Sequence, residues 1–315
     1  MSANLIFCLN ATMPVFLLLL LGMLFMKQGI FDEAFVKKIN NFVFKIALPV
    51  LVFHDMCGED FYQMWDTGYV LFCLTATALS IAITTGISFL LPDKSSQGEF
   101  IQAAFRSSAA ILGLAMIQSL YGSSGMGPLM IIGSVPLYNV MAVVILAFFK
   151  PERAPMDKKL LAEAGKGILH NHIIWGVFLG LFWGLLQLPM PQILETAVEN
   201  VGRLATPLGI LAMGAAFDLK KALKSAGAAG LASFIKLVGL GLLFVPAAVY
   251  LGFRGDKLVA ILIMCCSSTT VSSYVMAKNM GHDGTLTSSA VMVTTFFLSF
   301  TLTAWLFVLK SLGLL

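Results

Sequence analysis

Leu258-Val259-Ala260-Ile261-Leu262-Ile263-Met264-Cys265-Cys266-Ser267-Ser268-Thr269-Thr270-Val271-Ser272-Ser273-Tyr274 is the stretch on which the fold turns. It opens with nine apolar residues and then carries six hydroxyl residues within the seven positions 267–273. A helix needs about 20 apolar residues to cross the hydrocarbon core of a bilayer. Backbone amides at that depth must be hydrogen-bonded inside the protein. A span that turns polar at its centre therefore signals a broken helix beside a cavity. The opposing reading is a continuous helix whose Ser and Thr bond back to their own carbonyls and pack against a neighbour.

A second run has the same character: Phe105-Arg106-Ser107-Ser108-Ala109-Ala110-Ile111-Leu112-Gly113. Working outward from the two runs, apolar segments recur along all 315 residues. Ten candidate spans lie near 5–26, 36–53, 68–91, 100–121, 129–149, 168–188, 193–217, 223–251, 257–280 and 286–309. Hydrophobic residues make up 58% and charged residues 11%, with a mean hydropathy of +0.90. Soluble domains carry about 25% charged residues, so this chain could not cover its apolar surface in water. The expected class is an all-α polytopic membrane protein. Residues 1–10 hold no Lys or Arg, so the first run reads as a retained span rather than a signal peptide.

Lys and Arg set the orientation, because they concentrate in cytoplasmic loops. With the N-terminus outside, 13 of the 20 fall on the inner side and three (Arg254, Lys257, Lys310) on the outer. Lys45, Arg106, Arg203 and Lys236 fall within spans. Both termini are then outside, and the basic loop 150–167 is cytoplasmic. It separates 1–149 from 168–315, five spans each. At an offset near 158, Lys45, Ala47 and Pro49 fall on Arg203, Ala205 and Pro207. At 159, Ser107-Ser108 falls on Cys266-Ser267 and Gly122 on Gly281, and at 160 Lys150 falls on Lys310. An odd number of spans per half makes this an inverted-topology repeat, with the fourth and ninth spans as broken crossover helices.

Candidate site residues follow. Arg106 adjoins the fourth-span break, and its planar fork suits a carboxylate. Ser107, Ser108, Ser267, Ser268, Thr269 and Thr270 offer hydroxyls to opened backbone, an ion or a substrate oxygen. Asn139, after Pro136, places an amide in the fifth span. Pro49 and Pro207 each remove a backbone donor and kink their helices. Those two, with Lys45, Arg203 and Gly113, are expected to support or hinge the site. All four in-span charges are cationic, and no Asp or Glu sits at mid-depth. Positive side chains together with half-helix N-termini favour an anionic substrate.

Several classes are excluded. There is no basic tract to track nucleic acid. Cys8, Cys57, Cys73, Cys265 and Cys266 are odd in number, contain no C-x-x-C pair and read as packing residues. His170 and His172 read as interfacial, and no metal-ligand set, nucleophile elbow or phosphate loop is present. No cofactor is expected; a coupling ion, H+ or Na+, and a homodimer are left open.

In order and at matching depth, a set of short motifs resembles the auxin efflux carrier family in its bacterial members. They are Asn40-Asn41 with Leu48-Pro49, Phe105-Arg106 with Tyr121-Gly122, and Tyr138-Asn139. Thr206-Pro207-Leu208 follows, with Met213-Gly214-Ala215, Val271-Ser272-Ser273-Tyr274-Val275-Met276-Ala277 and Gly281-His282-Asp283. The resemblance implies ten spans in two inverted five-helix repeats, with helices four and nine broken and crossing where substrate binds. It also implies a permease for malonate, malate or another small carboxylate in a bacterial plasma membrane. Ser108 stands where relatives often have Asn, and Ser268 where they often have Pro. The expected function is a secondary transporter of a small organic anion, a mono- or dicarboxylate, by alternating access. The alternative is a membrane sensor that binds a solute without moving it. With no acid/base pair or metal set visible, an enzyme is not expected.

Overall fold

A computed structural model describes residues 2–57, 65–109, 117, 126–151 and 170–315. Among them every regular element is helical. In chain order these are α1 (Ser2–Lys27), α2 (Glu33–Phe42), α3 (Leu48–Cys57), α4 (Thr67–Ser88), α5 (Gln97–Phe105) and α6 (Gly127–Phe148). Then come α7 (His172–Leu185), α8 (Gln192–Arg203), α9 (Ala205–Ala215), α10 (Leu219–Lys224) and α11 (Ala226–Phe234). The last four are α12 (Leu240–Tyr250), α13 (Gly255–Cys266), α14 (Val271–Asn279) and α15 (Thr285–Ser311). Gly113, the Tyr121-Gly122 pair and the loop from 152 onward lie outside the described residues.

Five stretches are long and apolar enough to cross a membrane: Thr67–Ser88, Gly127–Phe148, Ala226–Tyr250, Gly255–Asn279 and Thr285–Ser311. Their ends differ from the sequence reading by three residues or fewer. Phe16–Lys27 and His172–Leu185 are shorter apolar helices. Leu17, Leu71, Phe178, Leu242, Phe296 and Phe300 are each more than half exposed. In water that surface would drive aggregation; against lipid it needs no covering. The chain is a multi-pass membrane protein.

Local chemistry starts and interrupts the helices. Asp32, Asp66 and Asp218 cap α2, α4 and α10, each accepting from a backbone N–H of the first turn. Different helix distortions precede Pro49 and Pro207. Before Pro49 the helix widens into a π-turn at Val43–Ala47. Before Pro207 it breaks at Leu204, between α8 and α9. A proline cannot donate to the preceding turn, so the chain opens there.

Two helix pairs approach closely through glycine. A Cβ on Gly22 of α1 would collide with the Leu211 carbonyl oxygen of α9, and one on Gly214 with that of Leu19. A Cβ on Gly180 of α7 would lie 2.8 Å from the Phe53 carbonyl oxygen of α3, and one on Gly176 would lie 2.5 Å from that of Pro49. Bare backbone permits this spacing, which suits helices that associate by close packing rather than by hydrophobic burial.

All nine residues of α5 are buried, as is α13 from Leu258 to Cys266. The two helices run through the protein interior, α5 packed against α4, α6, α11 and α15, and α13 against α12, α6 and α15. Glu99 of α5 fixes one end of this core. Its carboxylate is 3% exposed and accepts from Gly284 N–H at 2.8 Å, Thr287 N–H at 3.0 Å and Thr287 Oγ1 at 3.0 Å, at the start of α15. A negative group at a helix N-terminus satisfies both the free amides and the dipole. Glu99→Ala is expected to lower stability by about 3 kcal/mol, because two buried N–H groups lose their acceptor. Glu99→Gln, which keeps one acceptor oxygen, should lose about half of that. Thermal unfolding of the purified variants measures the difference.

At another edge Lys257 Nζ donates to Asp66 Oδ2 at 2.6 Å. The Asp66 carboxyl is held below its ordinary value of 3.8 by this bond, and next by the Tyr69 N–H. A carboxyl with a depressed folded-state value contributes stability above its unfolded value and loses it as pH falls through the folded one. The melting temperature should therefore decline modestly on acidification below about pH 4. Lys257→Met should flatten that part of the profile, as melting curves at stepped pH will register.

Candidate functional site

The second-half run, 267–270, breaks a helix between α13 and α14, and the first-half run begins where α5 ends; positions 110–113 of that run lie outside the described residues. α5 ends at Phe105, and Arg106 is extended, with φ −72° and ψ 131°. α13 ends at Cys266, with Ser267 extended at φ −78° and ψ 170°. Non-helical chain follows to Thr270, which is again extended before α14 begins. Arg106 and Ser267 are thus both extended helix caps, 161 positions apart.

The breaks meet. Ser108 N–H donates to the Ser268 carbonyl at 3.0 Å, and the Ser107 and Ser267 hydroxyls share a bond of 2.6 Å. Ser107 Oγ also donates to the Ile263 carbonyl at 3.3 Å. Thr269 Oγ1 donates to the Ala103 carbonyl at 2.7 Å, while its N–H bonds Thr294 Oγ1 at 3.0 Å. Gln102 Nε2 reaches the Ser273 carbonyl at 2.9 Å. The bonds to Ser108 N–H, Thr269 N–H and the Ala103 carbonyl satisfy backbone freed where the helices stop, as a low-dielectric interior demands. The hydroxyl run therefore does not back-bond along one continuous helix.

Beside the crossing is a cavity of about 60 Å3. Arg106, Ser107, Ser108, Asn139 and Thr270 line it, together with Ser272, Thr206, Tyr138 and Asp55. Arg106 is 3% exposed. One guanidinium nitrogen, Nη2, donates to Asn139 Oδ1 at 2.9 Å and Ser272 Oγ at 3.0 Å; Nη1 lies 2.9 Å from Met276 Sδ. Its Nε has no partner. Among the described residues no carboxylate is paired with it. Asn139 holds its amide by donating Nδ2–H to the Val135 carbonyl at 3.0 Å, in the turn opened by Pro136. At the start of α14, Thr270 makes no side-chain cap, and its hydroxyl shares a bond of 3.1 Å with Ser272.

The remaining sequence-derived candidates lie elsewhere. Ser267, Ser268 and Thr269 are buried in the crossing itself and hold it together. Pro49 and Pro207 are at the starts of α3 and α9, with Thr206 reaching the cavity beside Pro207. Lys45 and Arg203 both face outward; Arg203 pairs with Glu199 one turn earlier on α8. An exposed partner at i−4 is nearer to it than anything in the core. Ser272 and Thr206 escaped the sequence reading although both stood within the motifs it used. Lys236 was noted only as an in-span charge; the structure buries it completely.

The family described as Membrane transport protein matches residues 7–306. An uncharacterized transporter of Methanothermobacter thermautotrophicus is 22% identical over 305 residues, covering 95% of this chain and 98% of the relative. Auxin efflux carrier component 6 of Arabidopsis thaliana is 22% identical over 148 residues, 45% of this chain and 26% of that protein. Family membership places the chain among transporters rather than enzymes. With the ends of α5 and α13 joined in its interior and apolar helix faces on its surface, the chain belongs to the membrane transport protein family, that of the auxin efflux carriers.

Proposed function

We propose that the chain is a secondary carrier of a small organic anion, a mono- or dicarboxylate, working by alternating access. The observation that carries this reading is the Arg106 guanidinium: buried, lining a cavity and, among the described residues, hydrogen-bonded only to neutral groups. A buried unpaired charge is costly. A carboxylate entering the cavity would supply the missing counter-charge and bond to the guanidinium edge, with Ser108, Thr270 and Asn139 offering further polar contacts. The start of α14 presents the positive end of its dipole on the same side.

Two inverted five-helix repeats, 1–149 and 168–315, would form the moving halves, joined by a cytoplasmic loop with both termini outside a plasma membrane. Support comes from the glycine contacts. Gly22 against Leu211 and Gly180 against Phe53 are exchanged by the same offset of 158 that relates Pro49 to Pro207. The extended helix caps at Arg106 and Ser267 add to it. In this mechanism the crossing stays hydrogen-bonded while packed helices around it rock, opening the Arg106 cavity to one side at a time. Bound anion reduces the cost of the buried guanidinium and so eases passage through the closed state.

Counterflow tests it. Proteoliposomes loaded with unlabelled malonate, malate or acetate should transiently accumulate the labelled compound above equilibrium. A solute sensor would bind without counterflow. Absence of counterflow with every small carboxylate, in a protein that binds one of them, would sink the carrier reading.

A further inference from the structure

Among the described residues Lys236 is the other fully buried cation, and the Arg106 site makes no use of it. It projects from a π-turn, Ile235–Gly239, which interrupts the eighth span between α11 and α12. The extra residue in such a turn re-aims a side chain and frees carbonyls. One of them, Leu237 O, accepts from Trp305 Nε1 at 3.2 Å. Lys236 is 0% exposed. Its Nζ donates to the Cys265 carbonyl at 2.7 Å and the Met264 carbonyl at 3.2 Å. These belong to the last turn of α13, whose helix stops at the crossing and leaves its terminal carbonyls without intrahelical partners. A helix C-terminus carries about half a negative charge. Among the described residues no carboxylate pairs with the ammonium. Its counter-charge is a pair of main-chain oxygens, the donor type that a bound monovalent cation would use.

The ammonium is also linked to the cavity. Tyr138 lines the cavity, and its hydroxyl donates to the same Met264 carbonyl at 3.3 Å. Ser107, another lining residue, donates to the Ile263 carbonyl one position earlier. An anion beside Arg106 would therefore lie near the negative end of α13 if nothing neutralised it.

We propose that Lys236 is a tethered cation standing in the place of a bound monovalent ion. It neutralises the carbonyl end of α13 at the crossing so that an anion can settle beside it, and its removal exposes a monovalent-cation site built from the Met264 and Cys265 carbonyls. Lys236 is thus a positioning residue acting through α13, and its transport role rests on the carrier reading above.

The test uses the full chain purified in detergent as wild type, Lys236→Ala and Lys236→Met. Each is melted at equal ionic strength in choline, lithium, sodium, potassium, ammonium and methylammonium chlorides. The wild type should melt alike in all six salts. Lys236→Ala should melt about 5 °C lower in choline and recover most of the loss in at least one small cation. Lys236→Met fills the space without charge and should stay low in every salt. In proteoliposomes, carboxylate uptake by Lys236→Ala should fall at least ~10-fold in choline and return with the cation that restores melting.

Three results would overturn the proposal. The wild type could gain several degrees from sodium over choline, Lys236→Met could match the wild type in melting and uptake, or folded Lys236→Ala could ignore every cation. If Lys236→Ala unfolds in choline, extraction in methylammonium decides the same point. Folded yield there alone supports the proposal, and none in either salt, beside wild-type Lys236→Met, overturns it. The melting series needs no substrate. A wild type inactive in uptake yet following the melting pattern would sink only the carrier reading.

Discussion

Replacing Arg106 with alanine is expected to reduce carboxylate uptake into proteoliposomes by about 100-fold or more while leaving the helical content intact. The estimate follows from the strength of charge-assisted bonds in a desolvated site, about 1.5–3 kcal/mol each, with two available to a carboxylate. Arg106→Lys should retain a fraction of the activity. An ammonium keeps the charge but cannot present the planar fork, and it would have to replace contacts to Asn139, Ser272 and Met276 from one atom. Stability should move the other way. Arg106→Met keeps much of the side-chain volume and removes a buried charge that lacks a carboxylate partner, so it should melt at or above the wild-type temperature. A loss of uptake matched by an equal loss of folded protein would assign Arg106 to the scaffold. Unchanged uptake by Arg106→Ala would remove the basis for the anion site.

Gly214→Ala is expected to prevent accumulation of folded protein, or to cost at least ~3 kcal/mol where some survives. The added methyl would overlap the Leu19 carbonyl oxygen of α1. That obstacle is backbone, which cannot swing aside as a side chain does, so α1 and α9 must separate along their contact. Gly22→Ala, which meets the Leu211 carbonyl oxygen across the same interface, should behave alike. Gly230→Ala is the matched control. Gly230 is an exposed residue within α11 with nothing within 4 Å of the added methyl. That change should be neutral or stabilise by about 0.5–1 kcal/mol, because alanine is the better helix former. Fluorescence-detected size exclusion of the variants separates these outcomes. Equal profiles for Gly214→Ala and Gly230→Ala would mean that the helices are not packed this closely.

The helical, multi-pass character was legible because it depends on the local density of apolar residues. Five spans are where the apolar runs placed them, and both breaks fall at the hydroxyl runs. The proline positions marked helix distortions, and Arg106, Ser107, Ser108, Asn139 and Thr270 stand around one cavity. The exact end of each helix was not legible: side-chain types recur along apolar helices, whereas the extended caps at Arg106 and Ser267 exist only once backbone angles are known.

Amino-acid order alone determined that this chain must live in lipid, where its helices would be interrupted, and which cations fall within the apolar runs. Tertiary structure alone decided which of those cations are inside. Lys236 turns onto the carbonyl end of α13, while Lys45 and Arg203 face outward. Only the fold brought Ser108 to Ser268 across some 160 residues, and only the fold placed Glu99 on the first turn of α15. The physical reason is the absence of a polar stripe. In water an amphipathic helix advertises its buried face by its periodicity. A helix that is apolar all round carries no such mark, so the neighbours it packs against choose which side becomes the interior.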